Sequence, residues 1–301
     1  MKQVLVIAGP TASGKTAFSI RMAKLLDAKI ISGDSIQVYR GLDIGSGKVT
    51  EEEKEGIPHS LIDILSPKDS FSAADFQRLA RREIESYDGL SIICGGTGLY
   101  LKACLYDYVF MEEEGEAVAE ELKQLDNETL YAMLKEADPP QAEKIHPNNR
   151  QRLLRSLSIV KKSGMRQSDI VANQSHQMVY DAFIAGCTMD RAVLYDRISR
   201  RVDGMFEAGL RDETASLLQQ GVTFEDACMK GIGYREWRPY FAGQMTEDEV
   251  REEIKKHSRQ FAKRQYTWLR HQMPVHWFRA DDPADCSRME KEILEWRNTH
   301  A

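Results

Sequence analysis

Several things are scarce in this sequence, and each scarcity closes off a class of protein. The five cysteines (Cys94, Cys104, Cys187, Cys228 and Cys286) form no C-x-x-C pair. Their odd number and wide spacing exclude a disulfide scaffold and a zinc pattern, and predict reduced thiols. Long apolar runs are missing at the start, where Val4 to Ala8 gives only five residues. That is too short for a secretory signal and far too short for a membrane span, so a cytoplasmic location without membrane contact is expected. There is no excess of positive charge: 41 Lys+Arg against 47 Asp+Glu leave a net charge of −6. This argues against wholesale coating of nucleic acid. It leaves room for a local basic patch, because phosphates respond to nearby charge. Internal repeats and low-complexity tracts are also absent.

What remains is an ordinary globular composition, with 301 residues, 42% apolar and 29% charged. That length is about two domains' worth and needs no disulfide or metal staple. Val4-Leu5-Val6-Ile7-Ala8, closed by Gly9-Pro10, reads as a buried parallel strand. A helix is predicted over 16–26, with Phe18, Met22, Leu25 and Leu26 on its apolar face. Further strands are predicted over 29–32, 91–94, 182–187 and 275–278. Strands alternating with helices imply an α/β fold, a doubly wound parallel sheet flanked by helices. The stretch over 112–189 breaks this rhythm. It opens with six glutamates between Glu112 and Glu121 and continues as helix, interrupted at Asp138-Pro139-Pro140 and His146-Pro147-Asn148-Asn149. It is read as a helical insertion, with 1–111 and 190–301 forming the core domain. The glutamate run is expected to be a solvated helix face or hinge.

One motif is strong. Gly9-Pro10-Thr11-Ala12-Ser13-Gly14-Lys15-Thr16 matches G-x-x-x-x-G-K-[ST] between a strand and a helix. Its glycines let backbone N–H groups curl around an anion at a helix N-terminus. Lys15 supplies a point charge, and the Thr16 hydroxyl suits Mg²⁺. The loop specifies a diphosphate or triphosphate but does not specify ATP. The second strand ends in Ser32-Gly33-Asp34-Ser35. In such a core the strand ends gather at one edge of the sheet, so Asp34 should face the phosphate site. It is a candidate base for an acceptor, with a turn or cap aspartate as the alternative.

The strand Ile92-Ile93-Cys94 carries no following Asp, so the usual metal-holding carboxylate of an NTP-driven motor is missing. Instead it runs into Gly95-Gly96-Thr97-Gly98, which would bring backbone and the Thr97 hydroxyl to the ligand or would simply turn. From Lys255 to Arg270 there are six Lys/Arg and no acid, with Tyr266 and Trp268 interleaved. This reads as an RNA-facing helix or as a solvated amphipathic one. Arg150, Arg152 and Arg155 fit phosphates or an ordinary charged face. His59 and His176 are read as structural.

Taken in order, these blocks resemble a known family. They are the phosphate loop; Asp34-Ser35-Ile36-Gln37-Val38-Tyr39-Arg40-Gly41-Leu42-Asp43-Ile44-Gly45-Ser46-Gly47-Lys48; Pro58-His59; Gly95 to Lys102; His146-Pro147-Asn148 with Gln151-Arg152; Gly231-Ile232-Gly233-Tyr234-Arg235; and Lys263 to Arg270. Together they are similar to the bacterial tRNA dimethylallyltransferases, the tRNA isopentenyltransferase family that prenylates adenosine 37. The resemblance runs from residue 4 to 270.

It implies a P-loop NTPase-like core with a helical insertion that swings onto tRNA. It further implies transfer of a dimethylallyl group from dimethylallyl diphosphate to N6 of adenosine 37, in tRNAs reading codons that begin with U. By position, the loop Gly9, Pro10, Thr11, Ala12, Ser13, Gly14, Lys15 and Thr16 would hold the diphosphate with Mg²⁺ on Thr16. Asp34 would be the base, Thr97 would sit at the breaking C–O bond, and Arg201 would contact the diphosphate. The tRNA anticodon stem-loop would touch Asp34, Ser35, Ile36, Gln37 and Thr97, and Gln151, Arg152, Leu153, Leu154 and Arg155. It would also touch Lys230, Gly231, Ile232, Gly233, Tyr234 and Arg235, and Lys263, Arg264, Gln265, Tyr266, Thr267, Trp268, Leu269 and Arg270. A monomer is expected.

Departures exist: Ser60 stands where relatives carry a second His, and Ser46-Gly47-Lys48-Val49 where they carry Thr-Ala-Lys-Pro. The eukaryotic zinc finger is absent, so the chain reads as bacterial. A small-molecule kinase is the alternative on the same core, and a nucleotide-dependent RNA-binding module a third. The basic helix and the large insertion favour the transferase.

Overall fold

Strand β1 (Gln3–Ala8) is deeply buried, with Val4 to Ala8 wholly out of solvent. The computed structural model describes residues 1–110, 116–173 and 176–299, of which 116–119 as backbone only. The other strands are β2 (Lys29–Ser32), β3 (His59–Ser60), β4 (Ser91–Gly95), β5 (Asp181–Thr188) and β6 (His276–Arg279). The helices are α1 (Lys15–Leu26), α2 (Glu51–Lys54), α3 (Ala73–Glu85), α4 (Gly98–Leu105), α5 (Glu116–Lys123), α6 (Asn127–Ala137) and α7 (Pro139–Ala142). They continue with α8 (Arg150–Ser163), α9 (Gln167–Ala172), α10 (Arg191–Glu207), α11 (Leu210–Gln219), α12 (Arg238–Phe241), α13 (Glu247–Gln272) and α14 (Pro283–Thr299).

The strands form one sheet in the order β3-β2-β4-β1-β5-β6, parallel throughout. Alternate side chains of a strand face opposite ways, and β1 shows it. Val4, Val6 and Ala8 belong to one apolar cluster with Phe76 and Leu101. Leu5 and Ile7 belong to another with Phe18, Met22 and Phe278. Burial on both faces is why these strands read as unbroken apolar runs. Because every strand runs the same way, the turns after β1, β4 and β2 emerge side by side at one edge. That edge holds the site.

The predicted helix over 16–26 is α1, beginning at Lys15. Its predicted apolar face needs one correction, because Leu25 is 52% exposed. The buried stripe centres on Ser19, Met22 and Ala23, and Leu25 falls to its edge in the last turn. The two-residue β3 has no sequence periodicity to announce it. His59 does act locally, its ring Nδ1 lying 2.8 Å from the Ile57 carbonyl. The five cysteines are free, and burial pushes Cys104 up to about 12 and Cys228 up to about 11. Among the described residues no helix is long and apolar enough to cross a membrane.

The chain divides into two compact units, Met1–Tyr106 with Met178–Ala301, and Asp107–Gln177. The second unit is helical, α5 to α9, around Leu122, Leu130, Leu134, Ile145, Leu153 and Leu157. Its break at Asp138 is held by a fully buried carboxylate, which accepts the Ser168 hydroxyl at 2.6 Å and the Ser168 N–H at 2.9 Å. The insertion expected over 112–189 ends earlier, because β5 pairs with β1 over residues 181–186 and 181–188 therefore belong to the sheet. Residues 112–115 of the glutamate run, read as a solvated face or hinge, lie outside the described residues.

Candidate active site

The loop between β1 and α1 takes up a backbone path that favours glycine at two positions. Gly9 has φ +147° and Gly14 φ +89°, conformations costly for any side chain. A Cβ on Gly9 would lie 2.8 Å from the Cys187 carbonyl oxygen. Ser13 is fully buried and donates to the Pro10 carbonyl at 2.8 Å, closing the curl. Helix α1 has no side-chain N-cap and no acidic residue in its first turn, so its opening N–H groups are left for an anion. Lys15 donates to the same Pro10 carbonyl at 2.5 Å. Desolvation holds its pKa below the ordinary lysine value, with Cys94, Cys187 and Asp34 pulling the other way and Arg201 adding to the depression.

Beside this loop, Asp34 follows β2. Its Oδ1 accepts the N–H of Ile36 at 2.8 Å and of Gln37 at 3.4 Å. Among the described residues its Oδ2 accepts nothing, so one oxygen is spent on the turn and one is left for chemistry. The turn after β4 adds Thr97, whose side chain makes no cap bond at the start of α4. From α10 comes Arg201, which donates to the Ser46 carbonyl at 3.4 Å. Burial lowers its pKa while Asp34 and Glu53 raise it. The space a Cβ would occupy on Gly47 is filled by the Arg201 guanidinium, a physical companion to the glycine that departs from the expected Ala. Lys15, Thr16, Asp34, Thr97 and Arg201 all line one cavity of about 460 Å³, whose apolar lining includes Phe71, Tyr100, Ile198, Val202, Met205 and Phe261. Such a lining fits a small ligand with a polyanionic head and an apolar tail.

The residues expected at an RNA surface divide sharply. Lys263, Arg264, Thr267 and Arg270 on α13 are exposed, as are Lys230 and Arg235, while Ser35, Ile36, Gly231, Ile232, Tyr266 and Trp268 are partly covered. On α8 in the 107–177 unit, Gln151, Arg152 and Arg155 are exposed and Leu154 is half-buried. Four expected side-chain contacts need correction. Leu153, Tyr234 and Leu269 are fully buried, and their side chains are core. Gln265 is 8% exposed and also points inward. The Gln37 amide is engaged on both sides, accepting the Ser32 hydroxyl at 3.0 Å and donating to the Gly47 carbonyl at 3.3 Å. The basic run is shorter than its sequence suggests. Lys255 pairs with Asp203 at 2.7 Å and Glu252 at 3.1 Å, and Lys256 with Glu253 at 2.8 Å. Among the described residues Lys263, Arg264 and Arg270 have no ion-pair partner.

Two carboxylates that sequence reasoning passed over shape this edge. Glu213 accepts the N–H groups of Asp43, Ile44 and Gly45 at 2.9, 2.7 and 3.0 Å and the Tyr234 hydroxyl at 2.7 Å. It thereby anchors the loop that presents Ser46 to Arg201. Glu236, nearly buried, accepts the Gly233 N–H at 2.9 Å and Arg235 Nε at 2.8 Å, with His257 Nδ1 at 2.8 Å. No spacing in the sequence announces either one. The inward side of Gln265 was detectable, since it falls on the α13 stripe of Val250, Ile254, Ala262 and Leu269.

The family model described as IPP transferase matches residues 37–272. A curated relative from Bacillus velezensis, named tRNA dimethylallyltransferase, is 46% identical over 300 residues, covering 97% of this chain and 95% of the relative. One of the same name from Bacillus subtilis is also 46% identical, over 299 residues and with the same coverage. Among solved structures, a tRNA delta(2)-isopentenylpyrophosphate transferase from Staphylococcus epidermidis is 42% identical with a TM-score of 0.73, covering 99% of this chain and 100% of that one. A eukaryotic dimethylallyltransferase described as acting on tRNA is 26% identical with a TM-score of 0.87, covering 100% of this chain and 80% of that one.

Proposed function

This chain belongs to the IPP transferase family, and on that premise we propose that it moves a dimethylallyl group from dimethylallyl diphosphate to N6 of adenosine 37 in tRNAs reading codons that begin with U. The observation that carries the reading is the single cavity in which a phosphate loop, Asp34, Thr97 and Arg201 meet. The strand β4 has no Asp after it, which weighs against an NTP-driven motor on the same core.

Adenine N6 is a weak nucleophile because its lone pair is delocalised into the ring. Asp34 Oδ2 takes the N6 proton as the new N–C bond forms, while Ile36 and Gln37 hold Oδ1 and fix the carboxylate's orientation. The C–O bond to diphosphate breaks, and the electron pair leaves on oxygen. Loop N–H groups, Lys15 and Arg201 are arranged beforehand around that growing charge, with Thr97 at the bridging oxygen. A phosphate cradle thus serves a reaction that transfers no phosphate. Among the described residues no three His, Cys, Asp or Glu side chains cluster as a metal cage. Mg²⁺ keeps several waters and takes substrate phosphates as ligands, so it needs no such cage. Thr16 would hold it, and when bound it would neutralise leaving-group charge.

The exposed cations Lys263, Arg264 and Arg270 with Lys230 and Arg235 meet the anticodon arm, whose unstacked loop bases are accessible. On the 107–177 unit, Gln151, Arg152 and Arg155 are the residues that contact RNA. The protein acts in the cytoplasm of a bacterium, as a monomer. Labelled dimethylallyl diphosphate mixed with bulk tRNA lacking the modification tests the reading. Label in tRNA supports it, and ATP-dependent phosphorylation of a metabolite without tRNA labelling overturns it.

A further inference from the structure

Gln265 lies in the stretch of α13 that the family pattern assigns to tRNA, yet its side chain points into the site. Its Oε1 accepts the Thr11 N–H at 3.0 Å, and its Nε2 donates to the Gly96 carbonyl at 2.9 Å. One amide therefore joins the phosphate loop after β1 to the glycine turn after β4. A Cβ on Gly96 would lie 2.2 Å from Gln265 Nε2, so Gly96 is the residue that lets the amide in. One turn further along α13, Trp268 packs its ring over Gly98, where an added Cβ would lie 2.1 Å from the ring. Thr97 stands between these two glycines. Its position is set from both sides by α13, through a hydrogen bond at Gly96 and a ring at Gly98.

We infer that Gln265 is a positioning residue for prenyl transfer: it keeps the diphosphate loop and Thr97 in register and reads no RNA. The inference rests on the proposed prenyl transfer for its reaction. The chemistry demands an amide here, because the position needs one acceptor and one donor on a single short fork. Met matches the length but supplies no donor and only a weak acceptor. A Glu carboxylate can accept from Thr11 but sets an oxygen against the Gly96 carbonyl and adds a negative charge beside the diphosphate. Protonated, the same Glu recovers the donor.

The test compares Gln265→Met and Gln265→Glu with the wild type by three measurements. These are binding of inorganic diphosphate by calorimetry without tRNA, prenyl-transfer kinetics, and tRNA binding by filter retention. Misplacing a reacting group by an ångström can cost about a hundredfold. The expected result is therefore a kcat lower by about 10- to 100-fold, a several-fold weaker diphosphate affinity, and tRNA affinity unchanged within error. The rate of Gln265→Glu relative to wild type should climb as pH falls from about 8 to 6, as the buried carboxylate takes up a proton and the donor returns. Gln265→Met should show no such recovery, which separates the clamp from a general packing defect. Reduced tRNA affinity with unchanged kcat and diphosphate binding would overturn the inference and return Gln265 to the RNA surface. Wild-type-like kinetics and diphosphate binding in both variants would overturn it as well. Should the wild type bind diphosphate but transfer no prenyl group, the proposed function falls. The clamp is then judged on diphosphate binding alone, upheld if Gln265→Met weakens it and overturned if it does not.

Discussion

Replacing Asp34 by Asn separates the two oxygens of one side chain. Asn keeps Oδ1, so the bonds from the Ile36 and Gln37 N–H groups survive and the turn after β2 should hold its shape. What changes is the other atom: an amide nitrogen cannot accept the N6 proton. Loss of a positioned general base costs about 10²–10⁴ in rate, equivalent to roughly 3–5 kcal/mol of barrier. The acceptor is held by other groups, so tRNA affinity should stay within a few-fold. Single-turnover transfer of labelled prenyl to saturating tRNA reads the chemical step, and filter retention reads affinity. Asp34→Ala, which also removes the Oδ1 bonds, should lose the rate and some thermal stability besides. If Asp34→Asn retains a rate within about threefold of wild type, far above the loss expected for a base, Asp34 is a turn residue only and the mechanism is refuted.

Lys15→Ala should abolish prenyl transfer, with ATP competing weakly against the prenyl diphosphate and remaining intact by chromatography. Because desolvation depresses Lys15, its charge is lost at a lower pH than an ordinary lysine's, and the Michaelis constant for the prenyl diphosphate should rise with pH before pH 10.5; a constant flat to that pH would contradict the assignment. Each phosphate contact contributes roughly 0.7–0.9 to the log–log salt slope, so Lys263→Ala with Arg264→Ala should flatten tRNA binding by about one to two units over about 50–300 mM salt. The Michaelis constant for the prenyl diphosphate should hardly move, and an unchanged slope would make α13 a solvated face. Tyr234→Phe removes a bond to the Glu213 carboxylate and should cost about 1.5–3 kcal/mol in urea unfolding, with tRNA affinity unaltered.

The parts of this molecule that follow local rules were legible. Val4 to Ala8, Ile92 to Cys94 and the loop Gly9 to Thr16 announce themselves through β-branched runs closed by glycine, and topology then brings Asp34 and Thr97 beside Lys15. What escaped is the direction of side chains within a recognised segment. Tyr234, Leu153 and Leu269 sit in blocks that read as RNA contacts, yet each is fully buried. A motif records that a segment matters without saying which face is turned inward. Helical period did carry that information for Gln265, in register with Val250, Ile254, Ala262 and Leu269. It carried none for Glu213, whose partners Asp43, Ile44 and Gly45 lie about 170 residues away in a loop without periodicity. The paired Lys255 and Lys256 make the same point for charge, because a run of cations looks basic until its carboxylate neighbours are placed.

A phosphate loop that serves alkyl transfer without nucleotide hydrolysis leaves a distinct product balance. The most direct measurement counts products in one reaction containing purified protein, dimethylallyl diphosphate, Mg²⁺, ATP and tRNA lacking the modification. Diphosphate, ADP and N6-dimethylallyl adenosine recovered by nucleoside digestion are quantified together. One diphosphate should be released for each modified adenosine, with no ADP above background. Stoichiometric ADP, or diphosphate release with no modified adenosine, would contradict it.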